Sequence, residues 1–196
     1  MVSEMKLACL VMAAGKGSRF GEDKLRLPVA GQPMGVNALD ILHRVPFTLR
    51  VLVTSADKEY LIKAGEALGY DVVMNPAPEE GMSSSVRLGT RYILEAGAYD
   101  GILYAVADQP NLSSVTVERL VQAFESSPGC IWAPEADGQR GNPVIFPAAL
   151  FGELLQLTGD RGGRQVIRDH PDLLRAVTVA SSELKDIDTK EDLQPC

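Results

Sequence analysis

Cysteine is scarce in this chain. Cys9, Cys130 and Cys196 are unclustered and form no C-x-x-C pair, so neither a zinc site nor a disulfide framework follows. Cys9 lies inside an apolar run and reads as a small core residue. Histidine is rarer still, with only His43 and His170. Neither stands near a nucleophile motif such as G-x-S-x-G, and both read as helix-end residues, where an imidazole suits the helix dipole. No apolar run reaches the ~18 residues of a membrane span, and Met1-Val-Ser-Glu-Met-Lys6 has no apolar h-region, so the expectation is a cytoplasmic protein with no membrane contact. Positive charge is also short. Nineteen Lys and Arg against 26 Asp and Glu leave a net charge of −7, which argues against a nucleic-acid partner. Internal repeats and low-complexity linkers are absent.

What remains is an ordinary globular composition, 45% hydrophobic and 23% charged over 196 residues, a length suited to one domain spanning 1–196. Apolar runs alternate with helical patterns, the signature of a mostly parallel α/β sheet. Strands are predicted at Leu7–Met12, Val51–Val53, Val72–Met74, Ile102–Val106, Ile131–Ala133, Val144–Phe146 and Val177–Val179. Helical spacing appears over Val36–Val45, Tyr60–Leu68, Ser84–Glu95, Val115–Phe124, through Leu150, Leu154 and Leu155, and over Gln165–Asp169. Residues Leu25–Pro33 are turn-rich. A short C-terminal helix is expected after Asp188, with Thr189 and Asp192 spaced as a capping box.

The first strand empties into Ala13-Ala-Gly-Lys-Gly-Ser-Arg-Phe-Gly-Glu-Asp-Lys24. Strand, glycine turn and cations together suggest a polyphosphate cradle: glycines let the backbone approach oxygens, and free N–H groups point at the anion. Arg19 would neutralise charge as a planar fork and Lys24 as a point charge. The two best-known phosphate loops do not fit. Gly15, Gly17 and Gly21 miss the G-x-G-x-x-G spacing by one residue, and Gly15-Lys16 is followed by glycine rather than Ser or Thr. The plain alternative is a flexible turn with solvated charges.

Asp108 follows a strand that reads as central, at the sheet edge where open α/β folds bind ligands. A carboxylate there can hold Mg²⁺, or can simply begin a turn with Pro110. Asp186 and Asp188 point the same way in extended chain and would repel unless a cation lies between them. Alternatively, Asp188 caps the last helix. Gly81-Met-Ser-Ser-Ser85 opens a helix, so its amides and hydroxyls either read the edge of a base or cap the helix, the cap being the simpler reading. Asp160, Arg161 and Arg164, set among Gly159, Gly162 and Gly163, suggest a second anion site or ordinary surface arginines.

Taken together, six ordered motifs resemble the MobA-like nucleotidyltransferases. They are Leu10-Val-Met-Ala-Ala-Gly-x-x-Ser-Arg-Phe-Gly-x-x-Lys24, Gly81-Met-Ser-Ser-Ser-Val-Arg87, Ala107-Asp-Gln-Pro110, Gly141-Asn-Pro-Val144, Gly159-Asp-Arg-Gly-Gly-Arg164 and Asp186-Ile-Asp-Thr-x-Glu-Asp192. Their forms are similar to the molybdenum cofactor cytidylyltransferase branch, and they span nearly the whole chain. The resemblance implies a Rossmann-like doubly wound α/β domain that transfers CMP from CTP to the phosphate of molybdopterin-bound cofactor and releases pyrophosphate. It further implies that Ala13, Ala14, Gly15, Ser18 and Arg19 wrap the nucleotide and that Lys24 neutralises phosphate charge. Gly81, Met82 and Ser83 would contact the base, Asp108 and Asp188 would hold Mg²⁺, and Asn142, Pro143 and Asp160 to Arg164 would face the pterin. A molybdenum hydroxylase or its chaperone would be the downstream partner.

Ala13-Ala14-Gly15 and the Asp186/Asp188 pair match pyrimidine-nucleotide members, the guanylyl branch favouring an extra glycine and an Asn. Phe20 and Met34-Gly35 depart from the family pattern. Two alternatives remain open: a nucleotidyltransferase with another triphosphate or a sugar-phosphate or phosphorylated-alcohol acceptor, and a non-catalytic cofactor-binding chaperone.

Overall fold

The computed structural model describes residues 5–15, 23–159 and 162–187. Strand β1 (Leu7–Met12) is the pivot of the sheet. It pairs in parallel with β4 (Leu49–Thr54) on one side and β6 (Gly101–Val106) on the other. Beyond β4 lies β5 (Asp71–Met74), again parallel. Beyond β6 come β9 (Val144–Pro147), β7 (Ile131–Ala136) and β10 (Leu174–Thr178). The chain therefore winds outward to β5 and then crosses back over β1 to form β6. That reversal makes the gap between the carboxyl ends of β1 and β6 the switch point of a doubly wound sheet, where ligands bind.

The sheet is mixed rather than wholly parallel. β9 runs antiparallel to both β6 and β7, a direction that apolar runs alone do not disclose. Its reversal brings the loop before Val144 to the same edge at which β6 ends. A further hairpin joins β7 to β8 (Gln139–Arg140) through Asp137 and Gly138, both at positive φ, as a two-residue turn between twisted strands requires. The predicted turn region Leu25–Pro33 likewise resolves into a single 3-10 turn at Lys24–Arg26 and a two-stranded hairpin, β2 (Pro28–Val29) and β3 (Gln32–Pro33).

Helices cover both faces, as alternation along β1 dictates. Cys9 and Val11 join a cluster with Leu39 and Leu42 of α1 (Met34–His43), Leu61 of α2 (Glu59–Ala67), and Leu120 and Phe124 of α4 (Ser114–Ser126). Ala8 and Leu10 face the other way, against Val86 and Ile93 of α3 (Met82–Ala96), Leu154 of α5 (Phe151–Leu154) and Val166 of α6 (Arg164–Asp169). Each fully buried Leu or Phe contributes about 1.5–3 kcal/mol to this double-layered core. At Gly89 a Cβ would fall 2.3 Å from Leu10 Cδ1, so the missing side chain is what lets α3 lie close on β1.

α1 starts at Met34, so Met34-Gly35 opens the helix despite departing from the family pattern. His43 closes α1, and His170 ends α6 with its Nε2 2.8 Å from Glu153, as expected of helix-end residues. Leu155 falls just past α5, and Val179 just past β10. The predicted C-terminal helix lies outside the described residues.

Cys9 is completely buried, and burial pushes its thiol up to about 12. Because the thiolate is the reactive form, alkylation of the native protein near pH 8 is expected to leave Cys9 unmodified until the chain unfolds, as read by mass spectrometry. Modification of Cys9 ahead of unfolding would contradict this packing.

Candidate active site

The register of β1 and β6 sets the site. Met12 stands opposite Val106, so the residues that follow each strand, Ala13 to Gly15 and Ala107 to Asp108, emerge level with one another. Ala13 N–H continues the ladder onto Val53 O at 2.8 Å. The side chains of Ala13 and Ala14 point into the core and are almost fully buried. Gly15 faces open space, with nothing within 4 Å of where a Cβ would stand. The predicted cradle thus begins at the switch point. Ser18 and Arg19 lie outside the described residues.

Lys24 returns to the same place. Its Nζ is 2.6 Å from Asp108 Oδ2 and donates to Ile187 O at 3.3 Å. The Ile187 N–H in turn donates to the Asp108 main-chain O at 3.3 Å. Three segments far apart in sequence, at 24, 108 and 187, therefore meet around Asp108, Lys24 at its carboxylate and Ile187 at its main-chain oxygen. Asp108 Oδ1 is buried and has no hydrogen-bond partner among the described residues, an expensive condition for a carboxylate oxygen unless a cation or donor satisfies it. Asp108 lies in a turn with Ala107 at the end of β6, so the turn delivers the carboxylate rather than replacing it. Asp188 lies outside the described residues. Its neighbour Asp186 lines the same cavity as Asp108. An orphaned hard oxygen, a second carboxylate lining the same cavity and open space at Gly15 suit a divalent cation with few protein ligands.

The cavity measures about 480 Å³ and opens on the β6–β9 side of Asp108. Tyr104 and Phe146 contribute to its wall, edge to face with ring centroids 5.6 Å apart. Beside Asp108, Asp186 and Tyr104, the polar side chains at its lining are Arg140, Asn142 and Arg164. Asn142 and Arg164 were expected from sequence. Pro143 is buried outside the lining, behind a cis Asn142–Pro143 bond, and Asp160 lies outside the described residues. Gly162 and Gly163 let the last wall close in. A Cβ on Gly162 would fall 2.7 Å from the Met82 sulfur, and one on Gly163 2.7 Å from the Phe146 ring.

Gly81, at φ +87°, precedes α3 without any side-chain cap. The serines do not cap the helix, contrary to the simpler sequence reading. Ser83, Ser84 and Ser85 are buried in its first turn, and Asn75 Nδ2 donates to Ser84 Oγ at 2.8 Å and Ser85 Oγ at 3.0 Å. The Ser83 N–H reaches across to Gly159 O at 3.3 Å, tying this turn to the loop that walls the cavity. Met82 stands exposed beside it.

Comparison with known proteins decides the family. The model of the MobA-like NTP transferase domain matches residues 9–174. The chain belongs to that family. It is a nucleotidyltransferase-type domain with a Rossmann-like fold. Over 190 residues it is 32% identical to the purine catabolism protein PucB of Bacillus subtilis, covering 92% of this chain and 91% of that one. It is 26% identical over 160 residues to a probable molybdenum cofactor guanylyltransferase of Pyrococcus horikoshii, covering 80% and 76%. The crystal structure of Rv0371c from Mycobacterium tuberculosis shares the fold, with a TM-score of 0.81 over 96% of this chain and 95% of that one at 24% identity. Rv0371c has also been crystallised in complex with manganese.

Within this MobA-like domain several site residues escaped the sequence reading. Arg140 reaches the cavity only because the Asp137-Gly138 turn folds it back, and that dipeptide was the signal available. Tyr104 and Phe146 looked like plain strand residues. Lys58, Tyr60 and Asp23, beside the opening loop, carry no motif at all. No helix among the described residues is long and apolar enough to cross a membrane.

Proposed function

We propose that this MobA-like protein transfers CMP from CTP to the terminal phosphate of a molybdopterin cofactor, with Mg²⁺ as the working cation. The observation that carries the reading is the convergence of Lys24, Ile187 and the opening loop on Asp108, beside a cavity that pairs two aromatic rings with arginines. The cytidylyl choice rests on the resemblance of Ala13-Ala14-Gly15 and the Asp186/Asp188 pair to pyrimidine-nucleotide members. GTP is the competing donor, favoured by the name of the Pyrococcus horikoshii relative.

An oxygen of the acceptor's phosphate attacks the α-phosphorus of the triphosphate. A new P–O bond forms as the bond to the β-phosphate breaks, and pyrophosphate leaves with its electron pair. A phosphate monoester, with its second pKa near ~6, is already largely dianionic at neutral pH. No strong general base is required, which fits a cavity lining with no His or Cys among the described residues. The work is positioning and charge stabilisation. Asp108, with Asp186 or Asp188, would hold the divalent cation, which supplies charge neutralisation between the phosphates.

Lys24 sits on a flexible stem, so its ammonium can pass from Asp108 to a phosphate oxygen, and Arg19 adds a fork for the leaving pyrophosphate. Gly81 and Met82 face the base, and Ser83, fully buried with its N–H on Gly159 O, holds their turn in place rather than touching the base. Asn142 and Arg164, with Arg140, receive the acceptor, and Pro143 buttresses them from behind. A molybdenum hydroxylase or its chaperone would take the product.

Pyrophosphate release, measured with each triphosphate against molybdopterin cofactor and sugar phosphates, tests this directly. The expected result is release with CTP and molybdopterin above every other pair. Preference for GTP would move the chain to the guanylyl reaction, and release with a sugar phosphate alone would change the acceptor. Pterin binding without release from any triphosphate would indicate a cofactor chaperone. Arg19→Ala is expected to weaken CTP binding on the order of tenfold or more, the scale of one lost charge-assisted contact. Unchanged affinity by titration would take Arg19 out of the cradle.

A further inference from the structure

Lys58 is the one charged side chain among the described residues that is fully buried, 2% exposed. It sits between β4 and α2, and its carbonyl accepts from Leu61 N at 2.9 Å and Ile62 N at 3.1 Å as α2 begins. Its side chain plays no part in capping the helix. The Nζ donates instead to Gly15 O at 2.8 Å and to Asp23 Oδ1 at 3.2 Å. These two acceptors are the residues that bracket the glycine-rich loop, 16–22. The other Asp23 oxygen receives the Tyr60 hydroxyl at 2.9 Å, and Arg26 stacks 4.1 Å above the Tyr60 ring. Asp23 Oδ1 also accepts from Leu25 N at 3.2 Å, fixing the turn that presents Lys24.

A buried ammonium is costly, and replacing a whole buried ion pair by apolar side chains of similar volume is often neutral or stabilising. A charge kept in such a place holds its partners in one arrangement. We propose that Lys58 is a positioning residue for the nucleotide: its ammonium clamps Gly15 and Asp23 together, setting the span of the phosphate loop. With Tyr60 it also occupies both oxygens of Asp23, so that carboxylate does not oppose an incoming triphosphate. This role rests on the reading of residues 13–24 as a nucleotide cradle.

The test compares Lys58→Met, Asp23→Asn and the double variant, each checked for wild-type circular dichroism. Without nucleotide, trypsin is expected to cut after Lys16 or Arg19 about tenfold faster in Lys58→Met than in the wild type. The KM for CTP should rise about tenfold with kcat changed much less, and the double variant should lose no more than Lys58→Met alone, because the two residues act as one unit. Wild-type trypsin rates in the folded variant, or losses that add, would overturn the clamp. Should Lys58→Met not fold, Asp23→Asn decides on the same two readouts. If the wild type binds no triphosphate at all, the cradle reading fails, and the trypsin comparison still judges the clamp.

Discussion

Replacing Asp108 by alanine is expected to lower kcat on the order of 10³-fold in a protein that keeps its fold. The activity loss follows from the site's geometry. Asp108 Oδ1 is a buried oxygen with no hydrogen-bond partner among the described residues and Oδ2 pairs with Lys24 Nζ, so under the proposed reaction one substitution takes away the cation's ligand and the anchor that places Lys24. Losing a single preorganised charge-stabilising group commonly costs ~10²–10³ in kcat, and the metal contribution adds to it. Stability should change little. The substitution loses the Lys24 pair but also removes a buried carboxylate oxygen that has no partner among the described residues, and Lys24 keeps the Ile187 carbonyl, so the two effects offset. The main-chain bond from Ile187 N to Asp108 O does not depend on the side chain. Asp108→Asn keeps the shape without the charge and should be nearly as inactive. A pyrophosphate assay beside a thermal melt separates these effects. Near-normal turnover in Asp108→Ala would remove the residue from metal binding and catalysis.

The second large effect is expected at Lys24. Under the proposed reaction, Lys24→Met should reduce kcat about 10²-fold, by removing the ammonium assigned to stabilise charge on the departing pyrophosphate. Lys24→Arg should rescue poorly. The site uses a compact point charge within 2.6 Å of Asp108 and 3.3 Å of the Ile187 carbonyl, and a planar guanidinium cannot take that place without moving its partners. The check is steady-state kinetics with CTP and a saturating acceptor. A kcat unchanged in Lys24→Met, with only KM raised, would make Lys24 a binding residue alone.

Much of the architecture could be read from the order of apolar runs, because each buried strand leaves an uninterrupted stretch such as Leu7–Met12 or Ile102–Val106. Strand direction could not. β9 is as apolar as β6 yet runs against it, and hydrophobicity carries no direction. The position of Asp108 was also readable, since a carboxylate after a central strand falls at the switch point. By contrast, Lys58 has no local signature. Its charge looks like that of any surface lysine until the parallel pairing of β1 with β4 sets it beneath Gly15 and Asp23. The serines of Gly81–Ser85 misled toward a cap for a related reason: the hydroxyls of Ser84 and Ser85 accept from Asn75, at the end of β5, and that of Ser83 accepts from Arg87. Motifs disclosed what each loop carries, and tertiary pairing decided what each side chain meets.

The most direct test of the account is a crystal structure of the protein soaked with CTP and Mn²⁺, read by its anomalous difference map. The account predicts a manganese peak bonded to an Asp108 oxygen and to phosphate oxygens, with the triphosphate lying over Gly15 and its α-phosphorus facing the cavity at Asn142 and Arg164. A peak remote from Asp108, or a nucleotide bound away from the gap between β1 and β6, would contradict it.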